Sequence, residues 1–319
     1  MAIQYGNLHF TVESLTSGHR LDAYVASHTT VISRGTLSLA TTTILLNGKR
    51  EKKSKLVKEG DEIDISYSQE FFEGLKAQDI PLTVLYEDTD ILVIDKKQGM
   101  VVHPANGNYE GTVVNALLYR YGSSFTTNDT DEEEEEEEMI PTLQNERIRP
   151  GIVHRLDKDT SGVLVIARTR ESHRNLAAQF KEHATEKWYI ALAKGNFNKK
   201  QEKLITNLSR DKKNRKKFAV CPENEGKRAE TEYLVLKQYK SFALLRIRIY
   251  TGRTHQIRVH LSSIGHPLVG DVIYGKPDGT TLMLHALSLT LESPSSKQRL
   301  CFRSPMPQRF KNFIKNQTL

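Results

Sequence analysis

Between residues 241 and 250 the sequence alternates, with apolar Leu245, Ile247 and Ile249 interleaved with Arg246, Arg248 and Tyr250. A period of two marks a half-buried strand, because successive side chains leave a pleated backbone on opposite faces. One face must belong to a core, and the other carries basic charge. Residues 229–238 form a second strand-like run, and the two join around Tyr239 and Lys240 as a hairpin. Strands linked by hairpins dictate a largely antiparallel sheet.

The rest of the chain from residue 81 supports that sheet. Residues 82–86 and 91–94 are strand-like about a turn at 87–90, and residues 112–121 place Val113, Ala116, Leu117 and Tyr121 at helical spacing. The apolar run 162–168 predicts a buried strand, 170–184 a helix, 188–193 a strand and 254–263 a helix. The expected fold class is α+β: residues 81–315 form a domain with a mixed, mainly antiparallel sheet and a few flanking helices.

A smaller module precedes it. Leu21, Tyr24 and Val25 are helically spaced, Ser33 can cap a second helix, and Ile44-Leu45-Leu46 runs into the turn pair Asn47-Gly48 before the strand around Ile63 and Ile65. With Arg20-Leu21-Asp22, Ser33-Arg34, Asn47-Gly48-Lys49 and Gly60-Asp61 in order, residues 11–67 resemble the S4 RNA-binding domain. Lys49, Arg50, Lys52, Lys53, Lys55 and Lys58 form a strip able to face phosphates, or equally a charged exposed hairpin. Residues 68–80 lack periodicity and are expected to be a linker.

The 319 residues have room for about two domains. The longest apolar stretch, near residues 162–167, is far short of the ~20 residues of a membrane-spanning helix. Residues 1–10 lack the layout of a signal peptide, so the expected location is the cytoplasm. Two cysteines, Cys221 and Cys301, without histidines at ligand spacing, give neither a disulfide framework nor a zinc site, and no metal is expected.

Charge is unevenly divided. Lys and Arg number 46 against 39 Asp and Glu, but nine of the acids, Asp129, Asp131 and Glu132 to Glu138, fall in one run without a cation. The remainder carries +16, a balance that suits a polyanionic partner. Residues 123–147 are too polar to repay ordering and are expected to be a disordered insertion. Residues 199–217 concentrate the positive charge, including Lys212, Lys213, Lys216 and Lys217, as an electrostatic footprint or a solvated loop.

Chemistry concentrates in residues 151–162, where a charged loop lies between apolar runs. Asp157 has Arg155 and Lys158 beside it, cations that favour its ionised form, and an ionised carboxylate on a rigid loop can act as nucleophile or base. Asp159, with Thr160 and Ser161, reads as a turn or cap residue.

The run His154-Arg155-Leu156-Asp157-Lys158-Asp159-Thr160-Ser161-Gly162 is similar over its full length to the signature of the RluA family of RNA pseudouridine synthases. Five further stretches agree in order: the segment from Ile94 to Pro104, Lys187-Trp188-Tyr189-Ile190-Ala191, the segment from Thr251 to His260, Gly265 to Asp271, and Leu284-His285-Ala286. With the S4-like front, the chain most resembles the RluD type, which acts on large-subunit ribosomal RNA. Lys97 stands where the family usually has proline, and the acidic insertion is unusual.

The resemblance implies that Asp157 is catalytic, that Tyr189 stacks on the target base, that Arg258 pairs with the aspartate, and that Arg155 fills the space left by the flipped nucleotide. Arg253 is expected to contact RNA, and His103, His255, His260 and His285 to be structural or RNA-contacting. The implied reaction converts uridine to pseudouridine without a cofactor, in a monomer whose partner is RNA, with large-subunit ribosomal RNA ahead of transfer RNA. The competing class is a non-catalytic RNA-binding protein of ribosome assembly.

Overall fold

The computed structural model describes residues 2–13, 19–29, 32, 37, 41–71, 75–104, 108–122 and 151–318. The chain divides into two units, with the boundary before Leu75.

In the first unit β1 (Ala2–Thr11), β2 (His19–Arg20), α1 (Leu21–His28), β3 (Thr43–Leu46), β4 (Lys49–Arg50), β5 (Leu56–Val57) and β6 (Glu62–Phe71) follow in order. Four strands form a sheet in the order β1-β6-β3-β4, and β2 pairs with β5. Asn47 and Gly48 turn β3 into β4 with φ of 52° and 73°, the left-handed pair that a two-residue hairpin requires. Leu21, Tyr24 and Val25 of α1 are buried with Ile44, Leu46, Val57, Ile63 and Ile65, so the helical and alternating patterns meet in one core.

This unit extends beyond residues 11–67. β1 pairs along its whole length with β6, from Ala2 opposite Phe71 to Thr11 opposite Glu62, so backbone hydrogen bonds hold residues whose polarity hid them. Strand β6 therefore takes up the start of the 68–80 stretch. Farther along, Asn115 Nδ2 donates to Lys76 O and Gln78 N–H donates to Asn115 O, bonds within the second unit, to which the end of that stretch belongs. The second helix expected after Ser33 and the acidic insertion at 123–147 lie outside the described residues.

The second unit runs β7 (Thr83–Glu87), β8 (Ile91–Lys96), α2 (Val113–Tyr121), β9 (Ser161–Ala167), α3 (Arg170–Lys181), β10 (Glu186–Lys194), β11 (Gln201–Arg210) and β12 (Phe218–Cys221). It continues through β13 (Lys227–Gln238), β14 (Phe242–Ile249), α4 (Gln256–Ser263), β15 (Leu284–Glu292), β16 (Arg299–Arg303) and α5 (Gln308–Thr318). Its sheet has the order β12-β11-β13-β14-β10-β15-β9-β8-β7, with β16 on β15. Among the described residues every pairing is antiparallel except β15 with β9, which is the mixed, mainly antiparallel sheet expected. No helix among the described residues is long and apolar enough to cross a membrane.

Leu245, Ile247 and Ile249 enter the main core with Leu164, Ile166, Ala191, Val113 and Leu117 of α2, and Ile257 and Leu261 of α4. A second cluster joins Ile190, Leu192, Phe242 and Met283 to Phe310 of α5. The basic side of the 241–250 strand is built as the alternation predicts: the Arg246 guanidinium lies 3.9 Å from the Trp188 ring centroid and that of Arg248 4.8 Å from Tyr250. Helix α2 starts at a capping box of Thr112 and Asn115, and α3 at one of Thr169 and Ser172.

A further expectation changes. Residues 199–217 are not one loop, since 201–210 form β11 between β12 and β13. Exposed Gln201, Lys203 and Ile205 alternate with half-buried Glu202, Leu204 and Thr206, a face too poor in apolar groups to signal a strand. Only the turn at 211–217 remains.

Gly162 is the second residue of β9. Its φ is +117°, and a Cβ there would lie 2.2 Å from the Ala286 carbonyl oxygen. Gly162→Ala is expected to cost about 3 kcal/mol through backbone strain and forced displacement of β15, read as a lower midpoint in urea unfolding.

Candidate active site

The loop between Gly151 and β9 is fixed from below. His154 is half-buried and neutral, its pKa lowered to about 3 by desolvation first and then by the Lys187 charge. Its Nε2 accepts the Val165 N–H at 3.0 Å, and its ring stacks on Phe180 with centroids 4.5 Å apart. Lys96, 1 % exposed, donates its ammonium to the carbonyls of Met100 at 2.7 Å and of Lys97 and Lys158 at 3.2 Å. Burial lowers its pKa to about 8. Gly99 N–H also donates to Lys158 O, and Gln98 Nε2 donates to Asp159 O, so the 96–100 segment clasps the loop just beyond Asp157. Thr160 N–H closes the turn on Asp157 O at 3.1 Å. The carboxylate is thereby presented by a preorganised backbone.

Arg258, on α4, donates Nη1 to Asp157 Oδ2 at 3.2 Å. Its remaining edge is held by Asp271, with Nε to Oδ2 at 2.8 Å and Nη2 to Oδ1 at 2.9 Å. The Asp271 Oδ1 also accepts the N–H groups of Ile273 and Tyr274 at 3.0 Å. A forked guanidinium bound on one side by a fixed carboxylate can offer its free N–H in one direction only. His255 places Nε2 3.8 Å from the same Asp157 oxygen. Burial pushes the Asp157 carboxyl up, but the facing His255 ring, the Arg258 and Arg155 guanidiniums and the Arg258 hydrogen bond outweigh it, so its pKa lies below the ordinary carboxylate value.

Tyr189 of β10 is buried in the main core beside this carboxylate. Burial first, then the Asp157 charge, push its phenol above the ordinary range, so it is neutral. The assembly is an ionised carboxylate, a guanidinium and an aromatic ring. Such a set can bind a planar base and supply a nucleophile or base at an adjacent bond.

A family model described as RNA pseudouridylate synthase matches residues 90–263. A protein of Borreliella burgdorferi named ribosomal large subunit pseudouridine synthase D is 39% identical over 317 residues, 96% of this chain and 91% of that one. The chain belongs to the RNA pseudouridine synthases. An Aquifex aeolicus protein named as an uncharacterized RNA pseudouridine synthase is 37% identical, covering 96% of this chain and 95% of its own. The solved structure of human RNA pseudouridylate synthase domain containing 4 has a TM-score of 0.56 at 20% identity, with 74% of this chain and 93% of that one covered, which extends the likeness in fold.

The synthase thus gathers Asp157, Tyr189 and Arg258, distant in sequence, at one place. Arg155 is exposed next to them, its charge acting on Asp157. Arg253, half-buried, donates Nε to Arg228 O at 3.2 Å. Lys212, Lys213 and Lys216 are exposed on the 211–217 turn and Lys217 is half-buried there, with Lys212 paired to Glu225 at 3.1 Å. In the N-terminal unit Lys49, Arg50 and Lys52 are exposed and Lys53 is half-buried. His260 and His285 are buried, meeting the hydroxyls of Thr206 and Ser161 at 2.9 Å, and belong to the framework. No group of three His, Cys, Asp or Glu residues suited to a metal occurs among the described residues.

Sequence reasoning passed over Asp271, Tyr274 and Lys96 as site residues and kept His255 outside the centre. Asp271 meets Arg258 across 13 residues and Lys96 reaches the Lys158 carbonyl across 62, so no local pattern joins them. The one local signal for Asp271 was its place in a motif segment already singled out.

Proposed function

We propose that this synthase isomerises uridines of large-subunit ribosomal RNA, and that Asp157 opens the N-glycosidic bond. The observation that carries the reading is the largely enclosed, ionised Asp157 carboxylate, 20% exposed and fixed by Arg258 at 3.2 Å beside Tyr189. In the reaction the bond from uracil N1 to C1′ breaks, the uracil turns, and C5 bonds to C1′ while its hydrogen leaves as a proton and N1 gains one. Addition of the carboxylate to C1′ and proton abstraction at C2′ both require its ionised form. The exchange is redox-neutral, so the reading includes no cofactor.

Tyr189 offers a ring for the base, a contact worth about 1–3 kcal/mol. A base inside structured RNA must leave its stack to reach Asp157, and Arg155, exposed at the rim, is suited to occupy the gap. The N-terminal unit is read as an S4-like RNA-binding domain that presents Lys49, Arg50, Lys52 and Lys53. Relatives named for the large ribosomal subunit are similar over nearly the whole chain, that unit included, which favours ribosomal over transfer RNA and a cytoplasmic place of work.

The test is release of hydrogen from C5-tritiated uridine in transcripts of large-subunit ribosomal RNA and of transfer RNA. Release from the ribosomal transcript is expected. Release from transfer RNA alone would reverse the substrate assignment, and release from neither, with tight binding retained, would support the assembly-factor alternative.

The lysines of the 211–217 turn are assigned to phosphates. Neutralising Lys212, Lys213, Lys216 and Lys217 together is expected to weaken binding across RNA sequences. The slope of log affinity against log salt should flatten by up to ~0.7 for each phosphate of a single strand that is no longer neutralised. The Glu225 partner makes Lys212 the smallest contributor. An unchanged slope would return the turn to a solvated role.

A further inference from the structure

We propose that Tyr274 is a positioning residue whose hydroxyl fixes His255 with an N–H directed at Asp157 and ties that ring to the root of the basic turn. The inference rests on the reading of Asp157 as the catalytic carboxylate.

Phe218, the first residue after the turn, donates its N–H to Tyr274 Oη at 2.8 Å. The same oxygen lies 2.9 Å from His255 Nδ1. Burial raises the Tyr274 phenol to about 12, so it keeps its proton at neutral pH. Among the described residues, that proton has His255 Nδ1 in place as its acceptor. With Nδ1 accepting, a neutral imidazole carries its hydrogen on Nε2, the nitrogen 3.8 Å from Asp157 Oδ2. At that length the effect on the carboxylate is electrostatic rather than a hydrogen bond.

The backbone supports this aim. His255 stands in the left-handed region, φ 55° and ψ 16°, uncommon for a residue with a side chain, as it opens α4. Its ring meets Tyr274 and Phe218 edge-on, with centroids 5.4 and 6.2 Å away. Arg258 lies 5.2 Å above the Tyr274 ring, and the Tyr274 N–H donates to the Asp271 carboxylate that clamps Arg258. Tyr274 thus touches both groups that face Asp157.

The turn itself is supported independently. Asp211 N–H donates to Lys217 O, Lys217 N–H to Asn214 O, and Asp211 Oδ1 accepts from the N–H groups of Lys213 and Asn214. Its lysines therefore keep their places without the Tyr274 hydroxyl, and the hydroxyl bears on chemistry rather than on RNA affinity.

Two measurements test the proposal. In wild-type protein labelled with nitrogen-15 at histidine, His255 is expected to show a pyridine-type Nδ1 and a pyrrole-type Nε2. The reverse assignment, or two pyrrole-type nitrogens throughout the active pH range, overturns it, and this result needs no variant to fold. Tyr274→Phe keeps the ring beneath Arg258 and removes the bridge. Its single-turnover rate should fall ~3- to 10-fold with RNA affinity unchanged, as expected for loss of one neutral hydrogen bond. A folded Tyr274→Phe protein with the wild-type rate would overturn the proposal. Asp157→Asn assayed alongside separates the two readings, because activity in that variant would remove the premise while leaving the tautomer result intact.

Discussion

Asp157→Asn is expected to fold, bind RNA with near-wild-type affinity and show no detectable isomerisation. Asparagine retains the shape and an acceptor oxygen for Arg258 Nη1, now at 3.2 Å from the carboxylate, but it has neither the charge nor the nucleophilic or basic capacity of aspartate. The folded-state pKa of Asp157 is lowered, so its ionised form adds stability above the unfolded-state value, and that contribution is lost as pH falls through the folded value. The variant gives up this contribution at neutral pH. Its melting temperature should therefore drop modestly and lose part of its dependence on acid pH. Parallel assays of C5 hydrogen release, RNA affinity and melting distinguish lost chemistry from lost structure. Appreciable turnover by the variant contradicts the assignment.

Arg258→Met is expected to lose both stability and turnover. Arg258 is 5% exposed and joins Asp157 to Asp271, itself 1% exposed, so methionine leaves a buried carboxylate with no cation. Breaking a buried pair from one side costs about 3–5 kcal/mol. Removing the stranded charge as well, in Arg258→Met with Asp271→Asn, should recover much of the stability and none of the turnover. Recovery of turnover in that pair would mean that Arg258 serves the fold alone.

The two variants bracket what the sequence made legible. The alternation at 245–249 marked the core face of β14, because a strand with one wet face writes its orientation into every second residue. A charged loop between apolar runs more often caps or pairs than catalyses, so the 151–162 segment stood out through its resemblance to the family signature over residues 154–162. Strand β11 was hidden because its apolar residues, Leu204, Ile205 and Leu208, do not alternate: Ile205 falls on the exposed face beside Lys203. Helix α4 starts at Gln256 rather than two residues earlier, since His255 adopts a left-handed conformation that helical spacing alone does not reveal. The Asp271 clamp, the Lys96 clasp and the Tyr274 bridge arise from long-range contacts, and composition around each of them is ordinary.

The most direct test of the central claim is a map of pseudouridines in ribosomal RNA from cells lacking this protein, complemented with either the wild-type chain or Asp157→Asn. Specific large-subunit positions should lose pseudouridine on deletion, regain it with the wild type and stay unmodified with the variant. Restoration of those positions by Asp157→Asn, or an unchanged large-subunit map on deletion, would contradict it.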